Sequence, residues 1–175
     1  MSNALPKLNA NPTHELTIPS TGQLVRYRPY LVKEEKILLL AFESKDEKQA
    51  MQAMVDTVVA CVHEKISTDR LTAFDVEYMF TQIRSKSVGE TTKVNVACSE
   101  CGTMHEQTIN LSELSIEVPD INNVIELTDT ISVELKYPPF SSFIKNYGSD
   151  QSETEFSYII INNCIDAVIN GDNRI

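Results

Sequence analysis

The sequence predicts an α+β fold: a helical core with an N-terminal β-hairpin, a small antiparallel β insert and a C-terminal helix. Three observations lead there. Apolar residues recur at helical spacing from residue 33 to about residue 88. The period falls to two between residues 92 and 137, and helical spacing returns after Ser152. The expected division is an extended arm over 1–13, a β-hairpin plus helices over 14–90, the β insert over 91–137 and a helical region over 138–175.

Each element has its own signal. Residues 1–13 carry Asn, Pro and Ser without periodicity. His14–Pro19 alternates through Leu16 and Ile18, and Ser20-Thr21-Gly22 signals a turn. Leu24–Arg28 runs back with Val25 and Tyr27 opposed to Arg26 and Arg28, and Pro29 ends it. Lys33–Glu43 is rich in strong helix formers. Asp46–Glu64 carries one stripe through Met51, Met54, Val55, Val58 and Val62. Thr72 caps a third helix with Asp75 three positions on, its stripe is Val76, Met79, Phe80 and Ile83, and Gly89 follows its end.

Thr92–Cys98 and Gln107–Leu111 then form a hairpin, followed by strands over Asn123–Leu127 and Ile131–Tyr137, the last with one wet face. Pro138-Pro139 breaks the sheet, and Phe140–Tyr147 is a short helix or loop. A final helix is expected over Ser152–Asn170, its apolar side running through Phe156, Ile159, Ile160, Cys164, Ala167 and Val168, with Gly171 after it. Asp150, Glu153 and Glu155 suit the positive end of that helix.

Composition narrows the function. The 175 residues are 42% hydrophobic and 23% charged, enough for an ordinary core. The net charge is −10, with a pI near 4.7. Phosphate backbones and anionic membrane surfaces call for clustered Lys and Arg, so neither is an expected partner. The N-terminus lacks the basic-then-apolar order of a signal peptide, and no apolar run reaches membrane-spanning length. The cytosol is the expected compartment, with Cys61, Cys98, Cys101 and Cys164 reduced. Cys61 and Cys164 lie in or beside apolar runs and are expected to be buried.

Cys98-Ser-Glu-Cys101-Gly102 is the most specific local motif. Two thiolates two residues apart at a strand end can grip one metal ion, and the glycine lets the backbone turn sharply. A zinc ribbon uses two such knuckles, and this chain has one. His105 is a candidate third ligand; Cys61, His63, Cys164 or another subunit would have to supply a fourth. Structural zinc, a metal-free zinc-ribbon-like hairpin and a redox dithiol are the three readings. Strands on both sides count against the third, because redox dithiols of the thioredoxin type start a helix.

No Ser, Cys or Thr has the setting of a nucleophile, and GxSxG, P-loop and GxGxxG patterns are absent. The expectation is a non-enzymatic protein without a small-molecule substrate. Arg26-Tyr27-Arg28-Pro29-Tyr30 sets two arginines and two aromatics together in an acidic chain, a composition favoured at interface hot spots. Arg26, Tyr27, Arg28 and Tyr30 are therefore a candidate partner contact; a strand with arginines on its polar face is the alternative. Met51 and Met54 are read as core rather than as a binding groove.

Three stretches carry a family resemblance: Arg28–Leu39 (RPYLVKEEKILL), Phe74–Glu90 (FDVEYMFTQIRSKSVGE) and the Cys98–Cys101 knuckle in the strand after it. In that order they resemble the baseplate hub subunit and hub-assembly family of T-even-like contractile-tailed bacteriophages. The likeness covers most of residues 14–170, and Phe74–Glu90 is its most specific part. It implies a structural or chaperone-like role in building the tail baseplate hub, without catalysis. The implied partners are other baseplate or tail proteins and copies of itself. The implied locations are the host cytoplasm during assembly and the tail baseplate of the virion. Members of that family usually continue with more helical sequence, whereas this chain stops at Ile175. The rival reading is a zinc-ribbon adaptor that binds a host or other partner protein.

Overall fold

The computed structural model describes residues 12–148 and 152–175. Most of the expected N-terminal arm, residues 1–11, and Asp150 lie outside the described residues. Among the described residues the fold is α+β, with five helices and small antiparallel sheets.

Strands β1 (His14–Thr17) and β2 (Leu24–Tyr27) form a hairpin, with Leu16 opposite Val25. Its turn is closed by the Ile18 and Gly22 N–H groups, which donate to the Gln23 and Ile18 carbonyls. Gly22 sits at φ 68°, where a side chain is unfavourable. Helices α1 (Val32–Glu43) and α2 (Glu47–Cys61) follow. Asp46 caps α2 by accepting from the Gln49 N–H at 3.1 Å. The chain leaving α2 runs beside β2, where the Arg28 N–H donates to the Cys61 carbonyl and the His63 N–H to the Arg26 carbonyl.

Helix α3 (Ala73–Ser87) starts in the expected Thr72–Asp75 capping box. The Asp75 carboxylate, fully buried, also accepts from the Ser20 N–H at 2.9 Å and the Ser20 hydroxyl at 2.6 Å. One side chain thus starts α3 and fastens the hairpin turn to it. The core packs Leu16, Ile18, Val25 and Tyr27 of the hairpin on Val55, Val58 and Cys61 of α2 and on Val76, Met79 and Ile83 of α3. Met51 and Met54 cover its edge, as expected of core residues. Helix α4 (Phe140–Asn146) adds Phe140 and Ile144.

Between α3 and α4 lie four strands. β3 (Thr91–Ala97) and β4 (Met104–Asn110) form a separate hairpin, in register Val94 to Gln107 and Ala97 to Met104. Its base is held to α3 by the Gln82 side-chain amide, which donates to the Leu111 and Leu114 carbonyls. β5 (Val124–Glu126) and β6 (Ile131–Leu135) pair with each other and not with β3–β4. Every residue of β6 is half-buried, so the wet face expected there is partly covered; Arg174 reaches across to Glu134 at 3.1 Å.

The chain end corrects one expectation. Helix α5 (Glu153–Cys164) stops six residues before the predicted Asn170. Ile165–Asn170 is strand β7, paired antiparallel to β6, with β8 (Asn173–Arg174) beyond it. Ile165, Ala167 and Ile169 alternate with Asp166, Val168 and Asn170, a period of two that fits a strand rich in β-branched residues. Pairing also gives β6 partners along its second edge. Ala167 is buried on this strand and not on a helix, Val168 is exposed, and Gly171 belongs to the β7–β8 turn at φ 58°. Cys164, at the helix end, is half-buried and not buried as expected, whereas Cys61 is fully buried.

Replacing Asp75 by Ala leaves the Ser20 and Thr72 N–H groups without an acceptor in a dry setting. The expected loss is about 3 kcal/mol of folding stability, read by urea denaturation with an unchanged slope.

Candidate interaction surface

Helix α1 is held to the body by a narrow inner edge. Only Glu34 and Leu38 are buried. The sequence Ile37-Leu38-Leu39-Leu40-Ala41-Phe42 has more apolar residues than one inward stripe can use, so the helix carries the surplus outward. Val32, Ile37, Leu39, Leu40 and Phe42 are between 50% and 79% exposed, on a helix with Lys33 and Lys36 near its start and Glu43 at its end. Further large apolar side chains face outward elsewhere, among them Ile121, Leu127, Tyr158 and Ile161.

The basic-aromatic cluster lies at the root of α1, and most of it is engaged within the chain. Tyr27 is in the core, where burial pushes its phenol up to about 12. Arg28 donates to the Ala60 carbonyl, to the Pro29 carbonyl and to the Glu34 carboxylate at 3.0 Å. Burial alone would raise the Glu34 carboxyl; the Leu31 N–H and the Arg28 guanidinium outweigh it and hold the group below its ordinary range. Arg28 thus ties the end of β2, the start of α1 and the end of α2 together. Tyr30 is half-buried against the core, with its N–H donated to the Ser87 hydroxyl. Arg26 is the outward-facing member, paired through its Nε with Glu64 at 2.8 Å.

The Cys98–Cys101 knuckle is the tip of the β3–β4 hairpin. The Cys98 N–H donates to the Thr103 carbonyl, the Gly102 N–H to the Cys98 carbonyl, and Gly102 sits at φ 71°. Cys101 is exposed, with its sulfur 3.2 Å from the Thr103 hydroxyl. That hydroxyl, the Thr103 N–H and the Cys98 thiol favour the Cys101 thiolate and lower its pKa. His105 stands on β4 opposite Val96. Among the described residues, no three His, Cys, Asp or Glu side chains come together in a way that could hold one ion. Toward the tip both faces of the hairpin are open, with Val96 and Met104 more than half exposed.

The concave features are shallow. One of them, among the described residues, is a groove of about 330 Å³ between α2 and α4, lined by Val55, Val59, Phe140 and Ile144. Among the described residues, no helix is long and apolar enough to cross a membrane. The exposed face of α1 is the feature sequence reasoning passed over. The unbroken Ile37–Leu40 run was the signal for it.

Large apolar side chains standing out on α1, on the β3–β4 hairpin and on α5 are the kind of surface found in proteins that pack against other proteins. The family model described as T4 bacteriophage base plate protein matches residues 11–175, and the chain belongs to that family. It is a structural component of the phage baseplate. No curated protein and no solved structure matches it.

Two outcomes follow from these environments. Arg28→Ala takes the guanidinium from the buried Glu34 carboxylate, which keeps only the Leu31 N–H and Lys33 at 3.4 Å, and should cost about 2 kcal/mol, measured by thermal or urea unfolding. A depressed carboxyl favours the folded state at neutral pH, and that contribution is lost as pH falls through its folded value, so the difference between wild type and Arg28→Ala should shrink on acidification. In thiol labelling, exposed Cys101 should react first and Cys61, whose thiol burial pushes up to about 11, last; the labelled residues are read by peptide mass spectrometry.

Proposed function

We infer that the protein serves at the hub of the baseplate, as a non-enzymatic hub component or as an assembly factor that delivers hub proteins. The supporting observation is the exposed apolar surface on α1, on the segment Leu114–Leu127 after β4 and on α5, more than an isolated chain needs. The resemblance of Arg28–Leu39 and Phe74–Glu90 to hub and hub-assembly proteins points to the same place. Its neighbours are then other hub or tail proteins, met first in the host cytoplasm.

Arg26 is the member of the basic-aromatic cluster best placed to meet such a partner, because Tyr27 is in the core and Arg28 holds α1. Infection with phage unable to make this protein should yield tails arrested before a complete hub. Normal baseplates from that infection would overturn the proposal. Mass spectrometry of particles and intermediates separates the two roles: a hub component is found in both, an assembly factor in intermediates alone. Arg26→Ala should weaken co-assembly with hub proteins severalfold, with the loss of its exposed pair to Glu64 costing no more than about 1 kcal/mol of folding stability.

A second reading rests on the hairpin tip, where half-buried Cys98 and exposed Cys101 share the turn between two sparsely covered strands. In it the tip is a zinc-ribbon adaptor, with Cys98, Cys101 and His105 as ligands and the remainder supplied by a protein partner. Stoichiometric zinc in the purified complex, lost in Cys98→Ser, is the expected result. Zinc-free complexes that assemble normally would remove this reading.

A further inference from the structure

We propose that two copies of this chain join at the tips of their β3–β4 hairpins, with Cys98 and Cys101 of each copy holding one tetrahedral zinc ion through four thiolates. This rests on the zinc reading of the hairpin tip and names the partner in it: a second copy, whose thiolates take the place of His105.

The ligand count selects the occupant. Cys98 and Cys101 share one turn, and the Cys98 thiol lies near enough to favour the Cys101 thiolate. Two sulfurs at this spacing hold one side of a zinc ion, and structural zinc takes four ligands. Among the described residues, no third His, Cys, Asp or Glu side chain comes close enough to hold an ion with them. Strand register puts His105 on the face of Cys98, opposite Val96, yet it stays apart from the two sulfurs. Cys61 is in the core, and Cys164 ends α5. The two ligands still wanted are the two that an identical turn brings. Any other partner would need a zinc-binding pair of its own, and this chain already presents one. A two-fold axis through the metal closes the set at four.

The hairpin lets two copies approach. From Asn95 to Ile109 every residue except Cys98 is exposed, so the turn is open to a second chain. The strands carry the tip roughly 20 Å along their length from the base at α3. Tip-to-tip contact therefore keeps the bodies of two chains of net charge −10 farther apart than the ~8 Å screening length at physiological salt. Near the tip, Glu100 adds one negative charge per copy and the Lys93–Glu106 pair adds none, so the metal and not surface charge makes the contact. The Thr103 hydroxyl, 3.2 Å from the Cys101 sulfur, is placed to donate to a metal-bound thiolate, the outer support such ligands commonly have.

The test is titration of the reduced full chain with zinc alone, read by sedimentation equilibrium and metal analysis. At ~10 μM chain, the expected result is a shift from monomer to dimer, complete at one zinc per two chains and reversed by a chelator. Cys98→Ser and Cys101→Ser should each abolish both the bound zinc and the dimer. Their urea midpoints without zinc should match wild type, because the tip lies outside the core. His105→Ala should keep zinc and dimer alike. Cobalt in place of zinc should give a thiolate-to-metal absorption roughly twice as strong as two sulfurs give. One zinc per chain on a monomer overturns the proposal and leaves the zinc reading standing. So does loss of zinc in His105→Ala. A dimer indifferent to zinc also overturns it, as does a chain that takes up no zinc by itself; zinc in complexes with other proteins then decides the reading beneath it.

Discussion

The Asp75 carboxylate gathers the Ser20 N–H and hydroxyl on one side and the Thr72 N–H and hydroxyl on the other. Each of these donors would otherwise need water, and the carboxylate is fully buried. Its charge is tolerable because all four bonds are made and because it lies at the positive end of α3. The position of the hairpin over α3 follows from it, and with that position the placement of Val25 and Tyr27 against Val58, Val76 and Met79. The core is then a three-part contact of hairpin, α2 and α3, closed at one side by α4.

A second polar knot governs what the molecule presents outward. Arg28 and Glu34 fix the root of α1 beside α2 and leave the outer side of the helix uncovered. The same residues that looked like a contact for a partner are what hold a contact surface in position. The division of labour is physical: a desolvated guanidinium–carboxylate pair gives direction to the helix, and leucines and isoleucine on its far side give it something to bind.

Much of this was legible in the sequence wherever a local pattern met a local cause. The Thr72–Asp75 box, the α2 and α3 stripes and the two hairpins are set by neighbours a few residues away. Ser20 as the long-range partner of Asp75 was not legible, because nothing local marks it. Strand β7 was missed for a related reason: Ile165–Asn170 suits either a helix side or a strand, and its strand partner, β6 (Ile131–Leu135), lies far upstream. The basic-aromatic cluster was read as surface because alternation separates Tyr27 from Arg28 but does not show that Ala60 and Glu34 wait for the arginine.

The Phe140 N–H donates to the Leu71 carbonyl, so α4 returns to the core beside a residue nearly seventy positions earlier. The stretch from Leu71 to Phe140 is a loop that starts and ends at one place, and α3 is the part of it that enters the core. The entropy of closing such a loop rises only with the logarithm of its length, and the β3–β4 hairpin within it orders itself through local pairs. Lengthening or shortening these strands should thus leave the core almost untouched. The segment between the two helices is the part of the molecule in which evolution can change what is bound without renegotiating how the chain folds.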